Sequence, residues 1–317
     1  MNKWGLSLFF LVCTAVAQNY PVRPIKLLVG VPPGGPTDAV ARSIAPDLSE
    51  ALGQPVVVEN RSGASAVIAT DAVAKAPPDG YMLAFVFITH ATNPTLVAKL
   101  PYDTLKDFAP VTQVGAQTML LVAHPSLPVS SVAQLISLAK SQPGKLDYAA
   151  SDAGSAPHLA GELFKLMSGT AITAVHYKGT APALTDTLSG HVPLMFVSNI
   201  TGLPHVQAGK LKALAVTGAQ RSPLAPGVPT VAESGLPGYE VVPWYGVVAP
   251  AKTPKSVIAR LHAEIVKIVR KPEVKARLSG QGIELIGSRP EEFDALIRSE
   301  MVKWEKVLKA AGVHAES

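Results

Sequence analysis

Short runs of apolar residues alternate along this chain with longer stretches of helical periodicity. Runs of strand length, such as Ile25–Val29 and Met119–Ala123, are followed by turn residues and then by helix-forming sequence. This alternation predicts an α/β architecture, because strands of this kind form sheets that helices cover. The predicted strands cover residues 25–29, 55–59, 81–88, 119–123, 146–150, 174–177, 192–197, 213–217 and 241–248.

Helical periodicity is found in seven further segments. They cover residues 37–52, 66–75, 132–141, 158–167, 182–188, 254–269 and 290–310. In the segment 254–269, Val257, Leu261 and Ile265 form one apolar stripe, and Pro272 is expected to stop continuation of the helix. Pro46 lies inside the first helical segment, which predicts a kink or two separate pieces there.

Two proline-rich segments are predicted to cross between two lobes. They are residues 122–128 and residues 241–250. If the chain crosses twice, residues 18–122 and 244–317 form lobe 1, and residues 123–243 form lobe 2. Two crossing strands make a hinge, and a cleft between hinged lobes is a common place for a small ligand.

The first 17 residues have the pattern of a cleaved signal peptide. Lys3 supplies the positive start, residues 5–12 supply the apolar segment, and Ala15-Val16-Ala17 supplies the cleavage site. The apolar segment is far shorter than the roughly 20 residues that span a bilayer. The mature protein is therefore expected to begin at Gln18 and to act outside the cytoplasm.

The composition excludes several classes of chemistry. Cys13 is the only cysteine and lies in the signal segment, so disulfides, thiolate metal sites and a cysteine nucleophile are not expected. The formal net charge is +5, which favours attraction of anions. Nucleic acid is not an expected partner, because basic residues do not form a stripe interleaved with aromatic residues.

A proline- and glycine-rich turn follows the first predicted strand and precedes the first predicted helix. Its candidate ligand-binding residues are Pro33, Gly34, Gly35, Thr37 and Asp38. The first N–H groups of a helix have no partner within it, and this geometry favours a bound anion. The alternative is an unliganded connection in which Thr37 or Asp38 caps the helix.

A second turn of the same kind lies in the predicted lobe 2. Its candidates are Ser151, Asp152, Gly154 and Ser155, directly before the helix that contains residues 158–167. Ser155 is expected either to cap this helix or to bind a ligand oxygen. One such turn in each lobe predicts a cleft that holds a molecule from both sides.

Four further candidates follow predicted strands, at the sheet edge where ligands of α/β proteins gather. Thr89 and His90 follow the strand 81–88, Lys178 follows the strand 174–177, and Asn199 follows the strand 192–197. All four are predicted to lie in loops, where they either bind a ligand or only stabilise the loop or the core beside it.

Catalytic motifs are absent from the sequence. It contains no Gly-x-Ser-x-Gly elbow, no His-Glu-x-x-His metal motif, and no nucleotide-binding glycine loop. Neither a metal nor a cofactor is therefore expected. Two alternatives to transport stay open: a secreted enzyme resembling an α/β hydrolase, with a site assembled from distant residues, and a ligand receptor for a sensor kinase.

The whole mature chain resembles the Bug-type extracytoplasmic solute receptors of tripartite tricarboxylate transporters. The resemblance is carried by phrases that occur in order: Tyr20-Pro21, Pro32-Pro33-Gly34-Gly35-Pro36-Thr37-Asp38, Glu59-Asn60-Arg61, Ala76-Pro77-Pro78-Asp79-Gly80-Tyr81, His158-Leu159-Ala160-Gly161-Glu162-Leu163-Phe164, Tyr177-Lys178-Gly179, Leu236-Pro237-Gly238-Tyr239 and Trp244-Tyr245-Gly246.

The resemblance implies a monomeric periplasmic binding protein with a two-lobed, type II-like fold and two crossing strands. It implies closure on a small carboxylic acid, such as a dicarboxylate, a tricarboxylate, an amino acid or an aromatic acid. It also implies a membrane permease as the partner that receives the ligand. The ligand loops implied are those already identified: residues 33–38, 89–90 and 151–155, with Lys178 and Asn199.

This chain departs from the family pattern in two loops. After Arg61 the family usually has several glycines and an asparagine, whereas this chain has Ser62, Gly63, Ala64 and then residues 65–67 without glycine. Asp152 stands where glycine is common. A second carboxylate on the ligand is expected to be disfavoured if Asp152 points into the cleft, and unaffected if it points to solvent or caps the helix.

Overall fold

The computed structural model describes residues 20–313 as an α/β protein with two sheets. The expected signal peptide lies outside these residues. In chain order the strands are β1 Ile25–Val29, β2 Val56–Asn60, β3 Met82–Phe87, β4 Phe108–Gln117, β5 Met119–Ala123, β6 Asp147–Ala150, β7 Thr173–His176, β8 Leu194–Ser198, β9 Lys212–Val216, β10 Trp244–Pro250 and β11 Ile283–Leu285.

The helices cover these sheets and connect their parallel strands. In chain order they are α1 Pro36–Leu52, α2 Val67–Ala74, α3 Thr89–Leu96, α4 Val132–Ser141, α5 Ala156–Ser168, α6 Thr180–Ser189, α7 Asn199–Gln207, α8 Lys255–Val269, α9 Pro272–Ser279 and α10 Pro290–Ala310. No helix between residues 20 and 313 combines the length and the apolar character that crossing a membrane requires.

Each sheet mixes parallel and antiparallel strands. The first sheet has the order β11-β4-β10-β3-β1-β2, and β1 pairs in parallel with both β2 and β3. The second sheet has the order β7-β6-β8-β5-β9, and β6 pairs in parallel with both β7 and β8. Parallel neighbours need crossover connections, and these are the helices that follow β1 and β6.

Separate apolar clusters support the two sheets. Leu27, Phe85 and Leu261 are buried together in the first lobe, which contains the first sheet. Tyr148 and Phe196 belong to the main cluster of the second lobe, which contains the second sheet. Full burial of such side chains contributes roughly 1.5–3 kcal/mol each, so each lobe has a core of its own.

The chain crosses from the first sheet to the second earlier than the sequence predicted. β4 ends at Gln117 in the first sheet and β5 begins at Met119 in the second, so the crossing lies at Thr118. The prediction had kept residues up to 122 in lobe 1. The strand 119–123 was predicted with correct bounds, but β4 was missed, and only the pairing of β5 with β8 and β9 shows its lobe.

The return crossing passes through residues 242–243. Val241 still donates its N–H to the carbonyl of Thr217 in the second lobe at 2.8 Å. Pro243 accepts a hydrogen bond from the N–H of Gln117 at 2.9 Å, and β10 begins in the first sheet at the next residue. The two crossing segments therefore lie side by side.

The C-terminal helix α10 packs on both lobes. Phe293 and Ile297 are buried with Trp244 in the first lobe. Trp304 and Leu308 are buried in the main cluster of the second lobe. The prediction had placed residues 244–317 in lobe 1 alone, because an apolar stripe shows that a helix is covered but not which core covers it.

Several other predictions of local structure were wrong. Residues 89–96 and 199–207 form the helices α3 and α7 rather than loops. Pro272 stops α8 as expected, but it also opens α9, since proline suits the first turn of a helix. Pro46 lies within α1, which continues through it as one helix, so the predicted alternative of two separate pieces is wrong. The short strand β11 was also missed.

Candidate functional site

A cleft of about 1390 Å³ lies between the two lobes. Seven of the predicted site residues line it: Gly34, Gly35, Thr37, Thr89, Ser151, Asp152 and Ser155. They follow the carboxyl ends of β1, β3 and β6, in turns or in the first residues of α1 and α3, so the cleft brings together strand ends of both sheets. The other six predicted residues are not among its lining residues.

The first turn presents a helix N-terminus without a side-chain cap. Gly35 is the N-cap of α1, and the first hydrogen bond within the helix runs from the N–H of Ala39 to the carbonyl of Gly35 at 2.9 Å. Pro36 has no N–H, so the amides of Thr37 and Asp38 have no acceptor within the helix. Thr37 lines the cleft beside these amides.

Asp38 supports this turn and does not line the cleft. Its carboxylate accepts hydrogen bonds from the Gly34 N–H at 2.9 Å, from Asn60 Nδ2 at 2.8 Å and from Arg42 Nε at 3.0 Å. Burial alone would raise the pKa of Asp38, but the hydrogen bonds from Gly34, Asn60 and Arg42 outweigh it and lower the pKa. Because Gly34 donates to Asp38, its amide is not available to a ligand.

The second turn repeats this arrangement in the other lobe. Ser155 is the N-cap of α5, and its side chain makes no capping hydrogen bond. Its hydroxyl oxygen is buried, lines the cleft region and has no hydrogen-bond partner among residues 20–313. The first intrahelical bond runs from the Leu159 N–H to the Ser155 carbonyl at 2.9 Å, so the Ala156 amide has no acceptor within the helix.

His158 lines the cleft and fixes the second turn, a role that sequence reasoning missed. Its Nδ1 accepts the N–H of Gly154 at 3.0 Å, so Gly154, a predicted ligand residue, serves the turn instead. Burial lowers the pKa of His158 to about 4 against the opposing effect of Glu162, and the ring is therefore neutral. A histidine three residues after a serine N-cap was the available signal.

Thr89 and His90 are consecutive in α3 but lie in different environments. Thr89 lines the cleft. His90 is buried against Tyr102 and Phe108, with ring centroids 6.4 and 5.0 Å away. Residues that follow each other in a helix point about 100° apart, so one faced the cleft and the other the core.

Three other predicted residues also lie away from the cleft. Asn199 begins α7 and donates from Nδ2 to Thr118 Oγ1 at 2.9 Å and to Ser222 Oγ at 3.0 Å, which ties it to the crossing segment. Lys178 is exposed after β7, and Pro33 is exposed within the first turn. Both side chains are accessible, as a binding role requires, but neither lines the cleft.

The loop after Arg61, which lacks the glycines expected there, has three residues with positive φ angles. Ala64, Ser65 and Ala66 line the cleft with φ angles of 46°, 52° and 72°. Such angles cost an L-residue roughly 1–2 kcal/mol each. Asn93 Nδ2 donates to the Ser65 carbonyl at 3.0 Å, and Ala66 lies so close to Gly30 that a Cβ there would be 2.2 Å from the Ala66 Cβ.

The floor of the cleft is made where the crossing segments meet. Gln117 Nε2 donates to the hydroxyl of Tyr245 at 2.6 Å, and both residues line the cleft with Trp244. Burial raises the pKa of Tyr245, so its hydroxyl stays protonated. Sequence reasoning missed Gln117 because it missed β4. Within residues 20–313, no three His, Cys, Asp or Glu side chains are grouped to hold a metal ion.

Comparison with known proteins shows that this chain is similar to transporter-family receptors. A family model described as "Tripartite tricarboxylate transporter family receptor" matches residues 40–313. Protein BugT of Bordetella pertussis is 39% identical to this chain over 298 residues, which are 93% of this chain and 91% of BugT.

Solved structures show the same fold. The structure described as R. palustris Rpa4515 with adipate has 41% identity and a TM-score of 0.85, and the match covers 94% of this chain and 100% of that one. MatC (Rpa3494) from Rhodopseudomonas palustris with bound malate has 33% identity and a TM-score of 0.81, over 91% and 100% of the two chains. The predicted two-lobed binding-protein fold is confirmed.

Proposed function

The chain belongs to the tripartite tricarboxylate transporter family of receptors, and from that premise we propose that its cleft captures a small carboxylate. The family consists of periplasmic solute-binding receptors and not of enzymes, which sets aside the alternative of a secreted hydrolase. The predicted receptor class is confirmed, and the details of binding that follow are our proposal.

The observation that carries the proposal is the pair of uncapped helix N-termini at one cleft. The N-caps Gly35 of α1 and Ser155 of α5 both line it, one from each lobe. Each N-terminus contributes about 0.3–1 kcal/mol towards a bound anion, and up to about 2 kcal/mol when partly buried. The bound adipate and malate of the two relatives support a carboxylate as that anion.

Two helix ends alone are too weak for tight binding. A micromolar dissociation constant corresponds to about 8 kcal/mol. We therefore assign further hydrogen bonds to the hydroxyls of Thr37, Thr89, Ser151 and Ser155, with water excluded as the lobes close. The lobes are the two sheets with their helices, and the hinge is formed by the crossing segments at residue 118 and residues 242–243.

Export and delivery complete the proposal. We infer that residues 1–17 are removed during export, and that a monomeric receptor passes its ligand to membrane subunits of a tripartite transporter. N-terminal sequencing of the protein from the periplasmic fraction should begin at Gln18. Light scattering of the purified protein in solution should give the mass of a single chain.

Calorimetry and small-angle scattering test capture and closure together. We expect at least one acid in a panel of mono-, di- and tricarboxylates, amino acids and aromatic acids to bind, while its uncharged amide does not. The radius of gyration should fall when that acid saturates the protein. If no acid binds to the folded protein, the proposed ligand class is wrong; if an acid binds and the scattering profile is unchanged, only closure is wrong.

A further inference from the structure

The cleft carries one charged side chain, and its sign is negative. Among the cleft-lining residues of the described chain, Asp152 is the only Asp, Glu, Lys or Arg. The protein as a whole has a formal net charge of +5, so the charge of the cleft is opposite in sign to the net charge of the protein. Carboxylate recognition here must rest on amides and hydroxyls, with no cation in the lining to balance a second negative group.

The Asp152 carboxylate is available to a ligand. Its side chain is exposed, and it makes no hydrogen bond or ion pair with any residue between 20 and 313. Its backbone carbonyl accepts the N–H of Ser155 at 3.0 Å, which fixes the main chain of the turn at the start of α5. The carboxylate is therefore held at the cleft without being neutralised, and it does not cap the helix.

The remaining lining, among the described residues, contains no Lys or Arg that would offset this charge. Val31, Leu96, Val97 and Leu184 supply apolar surface. His176 uses Nδ1 to contact the Ser151 carbonyl at 2.8 Å, which leaves it oriented towards the turn. A ligand held by its carboxylate at the helix ends would therefore place its other end in an environment that is uncharged or negative.

We propose that Asp152 selects the charge at the far end of the ligand. The preferred ligand carries one carboxylate together with an amine or an uncharged group, and dicarboxylates such as those bound by the two relatives are disfavoured. This inference rests on the proposed function. Two like charges about 4 Å apart in water weaken binding about fivefold, and more as the site dries on closure.

The test uses ligands that share a skeleton and differ only in one end group. Two sets serve: butyrate, 4-aminobutyrate and succinate, and hexanoate, 6-aminohexanoate and adipate. Calorimetry at about pH 8, where an ordinary imidazole is neutral, keeps histidine charge out of the comparison. The wild-type protein should bind the dicarboxylate of each set at least about fivefold more weakly than the amino acid.

Asp152→Asn keeps the shape of the side chain and removes its charge. We expect it to strengthen dicarboxylate binding about 5- to 10-fold and to weaken amino-acid binding by a similar factor. The matched control is Asp147→Asn, the same change at the start of β6 and outside the cleft lining, which should leave the order unchanged.

The outcomes separate the two proposals. Tightest binding of a dicarboxylate by the wild-type protein, with less than a twofold change in Asp152→Asn, overturns the role of Asp152 and leaves carboxylate capture intact. Binding of none of the six probes by the folded wild-type protein counts against both proposals. Equal shifts in the Asp147 and Asp152 variants would assign the effect to overall charge and overturn the inference.

Discussion

Replacing His158 tests whether the second turn is held in place for its ligand. The side chain is 3% exposed, and its Nδ1 accepts the Gly154 N–H at 3.0 Å. Gly154 has a φ of 74°, and a Cβ there would lie 2.3 Å from Leu96 Cδ1. The hydrogen bond therefore fixes a turn that packs against α3 of the opposite lobe.

His158→Leu fills much of the same volume but leaves the buried Gly154 N–H without an acceptor. An unsatisfied buried donor costs about 1–3 kcal/mol. If the turn relaxes to recover that energy, Ser151 and Ser155 move from the geometry that the ligand needs. We expect the free energy of unfolding to fall by about 1–3 kcal/mol, and the affinity for the best-binding acid to fall by about tenfold.

His158→Asn separates positioning from packing. Its amide oxygen reaches about the place of Nδ1, while the rest of the ring volume is lost. Urea unfolding, calorimetry and the amide resonance of Gly154 should be measured for both variants. We expect Asn to restore affinity and the Gly154 resonance more than it restores stability. His191→Leu, at a side chain that is 75% exposed, is the control for loss of an imidazole.

Wild-type affinity and an unchanged Gly154 resonance in His158→Leu would refute this reasoning. Equal losses of affinity in the Leu and Asn variants would also refute it, since packing alone would then explain the effect. The hydrogen bond also requires the proton of the neutral ring to be on Nε2, and nitrogen chemical shifts of the imidazole check this assignment directly.

Three further predictions concern stability. Ser65→Gly should raise the free energy of unfolding by about 0.5–1 kcal/mol, because its φ of 52° suits glycine, whereas the helical Ala69→Gly should lower it by about 1 kcal/mol; urea unfolding checks both. Gly161→Ala should lower it by about 1–3 kcal/mol, since the added Cβ would lie 2.1 Å from the ring of Tyr148. Burial lowers the pKa of His90 to about 4. As the pH falls, this imidazole is therefore protonated in the unfolded chain before it is protonated in the folded chain. The free energy of unfolding should fall by about 3 kcal/mol between pH 6.5 and pH 4 through this residue alone. His90→Phe should remove that part of the pH dependence in unfolding measured across the same range.

Local sequence was enough to predict those strands and helices that have a clear apolar pattern within their own residues. The apolar runs of β1 and β5 and the helix α10 were predicted with the bounds that the structure has. The spacing of apolar residues shows which face of a strand or helix must be buried, whichever segment of the chain covers that face. The order of family phrases likewise predicted the receptor class, which the comparisons confirmed.

Elements without such a pattern depended on their neighbours. α3 contains Pro94 and several threonines, and five of its eight residues are buried because it packs against α10 and β3. β4 contains Pro110 and Gly115 and pairs with both β10 and β11. Their propensities are weak, so contacts with distant segments decided their structure.

The site shows the same division between sequence and tertiary structure. Both turns were predicted from proline, glycine and serine before a helix, because a helix N-terminus always leaves amides without partners. Which residue of each turn faces the cleft was decided by hydrogen bonds with residues four positions further along the chain, and for Asp38 also with the distant Asn60. Asn60 and Arg42 donate hydrogen bonds to the Asp38 carboxylate, which therefore stabilises the first turn. His158 accepts the N–H of Gly154, which therefore stabilises the second turn.

The chain therefore determined that two helix ends would carry the binding chemistry, since capping and turn formation act within a few residues. Only the tertiary structure decided that these ends share one cleft and that Asp152 lies at it. The two turns meet at one cleft because of sheet pairing and packing between segments far apart in sequence, which no local pattern records.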